Sequence, residues 1–346
     1  MKIPQHTFID LFSGCGGMSI GFEQAGFKSL LAVDCWEDAL TTYKLNRKDA
    51  RVLCADIETI DVEELSRKNF NDISVDLIIG GPPCQGFSIA GKRLADDKRN
   101  VLYKSFVRFV EVFRPMAFVM ENVPNILSMA CGAIKDAIVR DFSELGYTMV
   151  YKVLLASDYG VPQNRRRAFF VGLLNGQVFE FPTKNISEPI TSSEAISDLG
   201  EYSISDGSPY ETPALSPYQE MMREGSIGVY NHQTAIHTQK TIDTIALVPD
   251  GGNYKDLPEE LQATRKVNIA WTRMNSNRPS FTIDTGHNHH FHYKYNRVPT
   301  VRESARLQSF PDWFRFYGGK GSQLKQVGNA VPPLLAKAIA KELLLL

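Results

Sequence analysis

In the first half of the chain, apolar residues fall in short continuous runs separated by stretches of helical spacing. Thr7-Phe8-Ile9-Asp10-Leu11-Phe12 reads as a strand, and Gly17 to Ala25 as a helix carrying Met18, Ile20, Phe22 and Ala25. Leu30-Leu31-Ala32-Val33 reads as a short buried strand, and Glu37 to Leu45 as a helix. Val52-Leu53, Leu77-Ile78-Ile79, Ala117-Phe118-Val119-Met120 and Tyr151-Lys152-Val153-Leu154-Leu155 repeat the strand signal, with helical segments near 101–113 and 133–145 between the later ones. Arg167-Ala168-Phe169-Phe170-Val171-Gly172 closes the series. Continuous apolar strands alternating with helices predict an α/β domain built on a parallel sheet with helices on both faces. Ligands bind such sheets beyond the carboxyl ends of the strands. Phe12, Asp34, Asp56, Cys84 and Glu121 each follow a strand directly, so they are expected along one edge.

From about Leu174 the texture changes. Gly, Pro, Ser, Thr and Asn dominate 182–236 and the strand–helix rhythm fades, which predicts a second, irregular lobe. Asn268 to Phe281 alternates enough for short antiparallel strands. Arg302 to Gln308 reads as a helix stopped by Phe310-Pro311, and Pro332 to Leu346 as an amphipathic helix with Pro in its first turn. No internal repeat is visible.

Composition narrows the class. A chain of 346 residues with 43% hydrophobic content can bury a real core as one large domain or two lobes. It has no apolar run long enough to span a bilayer, and Met1-Lys2-Ile3-Pro4 is no secretory signal. Five cysteines without paired spacing argue for a reducing compartment rather than a disulfide framework. A formal net charge of -1 provides no global basic field for nucleic acid. Local patches remain: Lys92-Arg93 with Lys98-Arg99, Arg165-Arg166-Arg167, and Arg265-Lys266 through Arg273 and Arg278.

The segment after the strand 75–79 carries the sharpest chemical signal. Gly80-Gly81-Pro82-Pro83-Cys84-Gln85-Gly86-Phe87-Ser88 places a thiol in a stiff frame: proline fixes its own φ and restricts the residue before it, and glycine lets backbone or ligand come close. Such a thiol suits a nucleophile better than a core filler, a reading that fits Cys54 and Cys131 better. Phe12-Ser13-Gly14-Cys15-Gly16-Gly17 joins the first strand to the first helix but is not the dinucleotide fingerprint, because position 19 is Ser. With Asp34 placed to bind ribose hydroxyls and Asp56 placed to accept from an adenine amino group, the pattern implies an adenosine ligand, not necessarily one with phosphates. Each acid could instead be a helix N-cap.

In this order the motifs resemble the DNA (cytosine-5)-methyltransferases. The resemblance runs through Phe12-Ser13-Gly14-Cys15-Gly16-Gly17, Asp34, Asp56-Ile57, Pro82-Pro83-Cys84-Gln85, Glu121-Asn122-Val123, Gln163-Asn164-Arg165-Arg166-Arg167, Arg302-Glu303-Ser304-Ala305-Arg306 and Gly328-Asn329-Ala330-Val331-Pro332. Gly172 to about Asn296 is covered poorly and corresponds to the family's variable target-recognition segment. The resemblance implies a Rossmann-like S-adenosylmethionine-dependent methyltransferase sheet and a smaller irregular lobe. The catalytic and cofactor-binding domain is then 1–178 with 325–346, and the target-recognition domain 179–324.

It also implies roles. Cytosine C5 is a poor nucleophile until a thiolate adds to C6; Cys84 is expected to supply that thiolate. Glu121 is expected to donate a proton near N3, held by Asn122 and Val123, while Arg167 and to a lesser degree Arg165 bind the cytosine O2 and neighbouring backbone. S-adenosylmethionine, leaving as S-adenosylhomocysteine, is expected at Phe12, Ser13, Gly14, Cys15, Gly16, Gly17, Asp34, Cys35, Trp36, Asp56, Ile57 and Pro82, completed by Asn329 and Ala330. Cys35 stands where the family often has a large apolar residue. The target base is expected to be flipped out of double-stranded DNA, with Gln85, Ser88, Lys92, Arg93 and Arg99 contacting DNA and readout falling in the second lobe.

His287, His289, His290 and His292 lack flanking Cys or acid at zinc-like spacing, so no metal is expected. The expected setting is a cytoplasmic, nucleoid-associated bacterial monomer without a membrane partner, with a cognate restriction endonuclease acting separately. A tRNA methyltransferase is the alternative, but those enzymes usually carry Cys-Phe-Thr in the recognition segment, and here all cysteines lie at or before Cys131. A nonenzymatic DNA-binding relative would have lost the thiol or the acid. A nicotinamide dehydrogenase would leave Pro-Pro-Cys unexplained.

Overall fold

The apolar runs form one seven-stranded sheet: β1 (Thr7–Leu11), β2 (Lys28–Asp34), β3 (Val52–Cys54), β4 (Leu77–Gly80), β5 (Ala117–Asn122), β6 (Thr148–Leu155) and β7 (Arg166–Leu173), in the order β3-β2-β1-β4-β5-β7-β6. The computed structural model describes residues 6–71, 73–83, 101–262, 271–285 and 290–346. Strands β1 to β5 pair in parallel. β7 runs antiparallel to both neighbours, so the sheet is mixed rather than wholly parallel. The cause is local: β6 and β7 are joined by the short segment 156–165, and a parallel crossover needs about a dozen residues or more.

The chain moves outward from β1 through β2 to β3, then returns to lay β4 on the other side of β1. Leu11 and Gly80, the last residues of β1 and β4, are register partners at this switch point, where open α/β sheets bind ligands.

Among the described residues, five α-helices belong to this part of the chain: α1 (Gly17–Ala25), α2 (Glu37–Asn46), α3 (Val62–Phe70), α4 (Val101–Phe113) and α5 (Ala133–Glu144). α3 is absent from the apolar reading, yet Asp61-x-x-Glu64 announces it: the Asp61 carboxylate accepts from Glu64 N at 2.8 Å. Helices and sheet share one core that includes Ile9, Leu11, Val33, Ile78, Phe106 and Phe118. Phe118 stacks on Phe142 with centroids 4.1 Å apart. Each such ring removed from water contributes about 1.5–3 kcal/mol.

Contacts divide the chain into two units. One comprises Met1–Leu155, Arg166–Thr183 and Leu335–Leu346; the other comprises Ala156–Arg165 and Lys184–Leu334. The second holds α6 (Ser192–Ile196), α7 (Pro217–Arg223), α8 (Gln239–Ala246), α9 (Glu259–Gln262), β8 (Thr272–Arg273), β9 (His290–Phe291), α10 (Val301–Leu307) and α11 (Lys320–Asn329). α12 (Pro333–Leu343) begins in the second unit, and its residues from Leu335 count with the first. β8 pairs with β9 in parallel, not antiparallel as the alternation of Asn268 to Phe281 suggests; residues 268–270 lie outside the described residues.

Buried ion pairs run through the second unit alongside its apolar residues. Arg306 is fully buried and donates to both oxygens of Asp312 and to Asp198 Oδ1. Arg297 grips both oxygens of Glu303, at 2.7 and 2.8 Å. Burial alone would raise the Glu303 pKa, but the Arg297 guanidinium holds the carboxyl well below the usual range. All seven residues of α10 are buried, so the Arg302-to-Arg306 run is interior framework. Among the described residues, no helix is long and apolar enough to cross a membrane.

Candidate functional site

The turn after β1 is built from left-handed backbone. Phe12, Gly14 and Gly16 have φ of 55°, 53° and 89°. At Gly16 a side chain has no room: a Cβ would lie 2.7 Å from the Tyr43 ring and 2.8 Å from Arg47 Nη1. At Gly14 a Cβ would meet nothing within 4 Å, so this face of the turn is open. Ser13 N donates to Val33 O at 3.1 Å. Ser13 Oγ is buried with no hydrogen-bond partner among the described residues. A buried hydroxyl without a partner is costly, and a polar ligand at the turn would satisfy it.

Asp34 ends β2 and faces this turn. One oxygen accepts Gly14 N and the other Trp36 N, both at 2.8 Å. Burial raises its pKa, and these backbone donors act in the opposite sense. The carboxylate is therefore fixed in orientation, with acceptor capacity left for a hydroxyl donor. Cys35 is exposed and Trp36 half-buried. Asp56 is exposed and caps the turn Ile57–Thr59, accepting Glu58 N at 3.1 Å. The cap alternative therefore describes what Asp56 does in the folded chain. Ile57 is a core residue. Cys15 is buried, and burial pushes its thiol up to about 12, which suits packing rather than reactivity. Gly17 is the buried first residue of α1.

At the ends of β4 and β5 a second constellation assembles. Arg167 Nε lies 2.8 Å from Glu121 Oε1, and both side chains are largely buried. Asn122 Nδ2 donates to Pro82 O at 2.9 Å, while its Oδ1 accepts Val123 N at 2.9 Å. One amide thus ties the start of the Pro-Pro segment to the end of β5. Gly81 leaves room for the acid, since a Cβ there would sit 2.9 Å from Glu121 Oε2 and the carboxyl would have to shift. The expected thiol Cys84 and the expected DNA contacts Gln85, Ser88, Lys92, Arg93 and Arg99 lie outside the described residues, as do His287 and His289.

Other predicted residues have different surroundings. Arg165 is buried in the second unit, where Nη2 donates to Gly328 O at 2.9 Å and Ala330 O at 3.1 Å. Asn329 is exposed at the end of α11, and Ala330 O also receives Gln308 Nε2 at 2.5 Å. Arg273 is not a surface cation: its guanidinium is buried on the carbonyls of Val248, Ile245 and His292. His290 lies 3.3 Å from Asp284 Oδ2 and against Phe281. His292 is fully buried, with Nδ1 accepting from Lys294 N and Tyr295 N.

A polar cluster to which sequence reasoning gave no role lies under the first turn. Ser19 Oγ donates to the buried Asp10 at 2.5 Å and lies 2.9 Å from Tyr43 Oη, which is 2.9 Å from Ser29 Oγ. Arg47 covers the Tyr43 ring at 4.1 Å, donates to Gly16 O at 3.1 Å and pairs with Glu23 at 2.7 Å. The available signal was an acid inside an otherwise apolar strand, Phe8-Ile9-Asp10-Leu11.

With this geometry in hand, comparison places the chain among known proteins. Residues 6–345 match the family model for C-5 cytosine-specific DNA methylases. The chain is 42% identical to the type II methyltransferase M.DdeI of Desulfomicrobium norvegicum, over 97% of this chain and 88% of that one. It is 41% identical to the type II methyltransferase M1.HphI of Haemophilus parahaemolyticus, over 98% and 86%. An E. coli prophage protein assigned as a DNA modification methyltransferase superposes with TM-score 0.82 at 29% identity, covering 99% of both chains. A Spodoptera frugiperda DNMT2 structure, at 17% identity and TM-score 0.63 over 98% and 100%, shares the fold.

Proposed function

The chain belongs to the C-5 cytosine-specific DNA methylase family, and from that premise we propose that it methylates C5 of a flipped-out cytosine in a specific double-stranded DNA sequence, as the modifying member of a type II restriction–modification pair. The observation that carries the reading is the strand-end grouping of Glu121, Arg167 and Asn122 around the segment that leads into Cys84.

S-adenosylmethionine, when bound, supplies an electrophilic methyl group on a sulfonium. The residues at the first turn fit such a group: an oriented carboxylate, a buried hydroxyl without a partner and an open glycine face. Asp34 would hold the ribose hydroxyls. The turn Ser13–Gly16, entering the N-terminus of α1, would receive the carboxylate of the methionyl end. Phe12 and Trp36 would border the adenine, with Asp56 and Ile57 beside it. Cys15, Gly17, Cys35 and Pro82 shape this surround, and Asn329 and Ala330 are proposed to complete it.

At the base, the Cys84 thiolate adds to C6 and forms a C–S bond. The ring electrons shift toward N3, which takes a proton from Glu121. Arg167 donates to O2, where negative charge develops. The methyl group supplied by the donor would pass to C5 as its bond to sulfur breaks, releasing S-adenosylhomocysteine; loss of the C5 proton to solvent would then re-form the C5–C6 double bond and expel the Cys84 thiolate, with the N3 proton returning to Glu121. Arg165, whose Nη2 donates to Gly328 O and Ala330 O, is proposed to contribute at O2 and the neighbouring backbone to a lesser degree than Arg167. None of these steps calls on a metal. Extruding the base costs a few kcal/mol, offset by contacts to the displaced nucleotide, with Gln85, Ser88, Lys92, Arg93 and Arg99 on phosphates and neighbours.

The catalytic and donor-binding domain is assigned to 1–178 with 325–346 and base-edge readout to 179–324. A cytoplasmic monomer, with the nuclease acting as a separate protein, completes the proposal.

The test begins with sequencing of methylated cytosines in DNA from an expressing host, which gives the target. An oligonucleotide with 5-fluorocytosine at that target should then form a stable covalent adduct with the wild type in the presence of donor. Cys84→Ala should form none; adduct formation undiminished by that change rejects the assignment.

A further inference from the structure

Methyl transfer as proposed makes no use of the polar floor under the first turn, yet that floor is built with care. Arg47 is nearly buried; its Nε is held by Glu23 and its Nη2 donates to Gly16 O. Gly16 O also accepts Ile20 N at 3.0 Å, the first hydrogen bond of α1. One guanidinium therefore braces both the left-handed residue and the start of the helix. Its face lies on Tyr43, whose ring fills the space a side chain at Gly16 would need. The Tyr43 hydroxyl continues the chain to Ser19 and Ser29, and Ser19 to Asp10.

We propose that Arg47, with Tyr43, Ser19 and Asp10 as its floor, is a positioning residue that sets the shape of the turn receiving the methionyl end of the donor. This rests on the reading that Phe12–Gly17 binds S-adenosylmethionine. Arg47 cannot be swapped for lysine without loss. An ammonium cannot span Glu23 and Gly16 O as a planar fork does, nor lie flat on the ring.

The floor also couples the turn to pH. Burial pushes the Asp10 carboxyl up to about 7, with Ser19 and Arg47 acting against the rise and Asp34 and Glu23 adding to it. Below that value Asp10 is uncharged and can sit in the hydroxyl chain as a donor. Above it, a second carboxylate lies buried under the turn with Asp34, a poor neighbour for a ligand that ends in a carboxylate.

The probe is S-adenosylhomocysteine, titrated calorimetrically into the full-length protein on both sides of neutral pH. Arg47→Ala should raise Kd by about tenfold and Arg47→Lys by nearly as much. Tyr43→Phe, which loses one hydroxyl, should raise it by about two- to fivefold. In turnover, the KM for the donor should rise more than kcat falls, a split that general loosening of the fold would not produce. Wild-type affinity should decline as pH rises through about 7, and Asp10→Asn should remove that decline. A wild type that binds no S-adenosylhomocysteine overturns the donor reading and this inference together. A wild type that binds, with variants within twofold and an unchanged pH profile in Asp10→Asn, overturns this inference alone. If Arg47→Ala is unfolded by circular dichroism, Tyr43→Phe and Asp10→Asn decide.

Discussion

Glu121 and Arg167 are not register partners, yet their side chains meet. On the antiparallel β5–β7 pair Glu121 faces Phe169 and Asn122 faces Ala168, while Arg167 faces Leu154 on β6. Arg167 is therefore the diagonal neighbour of Glu121 on the same face, within reach of long side chains, and Nε closes to 2.8 Å from Oε1. An acid and a fixed guanidinium then stand at the carboxyl end of β5, beside the segment that begins at Gly81.

From that geometry, Arg167→Ala should lower the rate of methyl transfer to target DNA about 10²- to 10³-fold. Arg167→Lys should recover only a part, because a point charge cannot both hold Glu121 and reach a carbonyl oxygen. Incorporation of radiolabelled methyl under saturating donor measures this. A rate within tenfold of wild type for Arg167→Ala would remove Arg167 from the chemistry.

Asp34 and Asp56 should separate in binding. Asp34 is oriented by two backbone N–H groups, whereas Asp56 is an exposed cap. Asp34→Ala should weaken S-adenosylhomocysteine binding by more than about tenfold and DNA binding little, and Asp56→Ala should do less at both. Equal loss of donor and DNA binding in Asp34→Ala would argue against the ribose role.

Gly81→Ala is a steric probe of the acid. The added Cβ would lie 2.9 Å from Glu121 Oε2, so the carboxyl must move. Turnover is expected to drop by about tenfold or more, with circular dichroism and melting temperature close to wild type, since displacement of a reacting group by a fraction of an ångström is costly. Full activity in this variant would mean that the position of Oε2 is not critical.

His292 should mark the acid limb of stability. Burial lowers its pKa from 6.5 to about 4, and Arg297 and Arg273 press the same way while Glu303 opposes. A folded pKa below the unfolded one contributes stability that is present above 6.5 and is lost as pH falls toward about 4. Urea midpoints across that window should fall less steeply in His292→Gln than in wild type. Parallel slopes would assign the acid sensitivity to other groups.

Much of the sheet was legible because β1, β2, β4, β5 and β7 are apolar runs, and their burial is what the runs encode. Helices of the second unit were legible in principle through capping boxes: Thr191 with Glu194 opens α6 and Thr300 with Glu303 opens α10, both as Thr-x-x-Glu. Apolar periodicity misses α6, which is too short to show it, whereas α10 was read as the helix Arg302 to Gln308 and only its start, one residue earlier, needed the cap. The direction of β7 was readable only from the length of the segment before it.

The order of strands and motifs, and hence the family, follows from the linear chain, because local spacing reports which residues face a core and which follow a strand. Three adjacent arginines show where that ends. Arg165 is interior, Arg166 is exposed and Arg167 pairs with an acid on another strand. Arg47 and Gly16, 31 positions apart, meet only because α2 packs near the start of α1. Partner choice of this kind is a long-range term: desolvation and hydrogen bonding decide it once the elements are packed, and no window of sequence contains both sides of the contact.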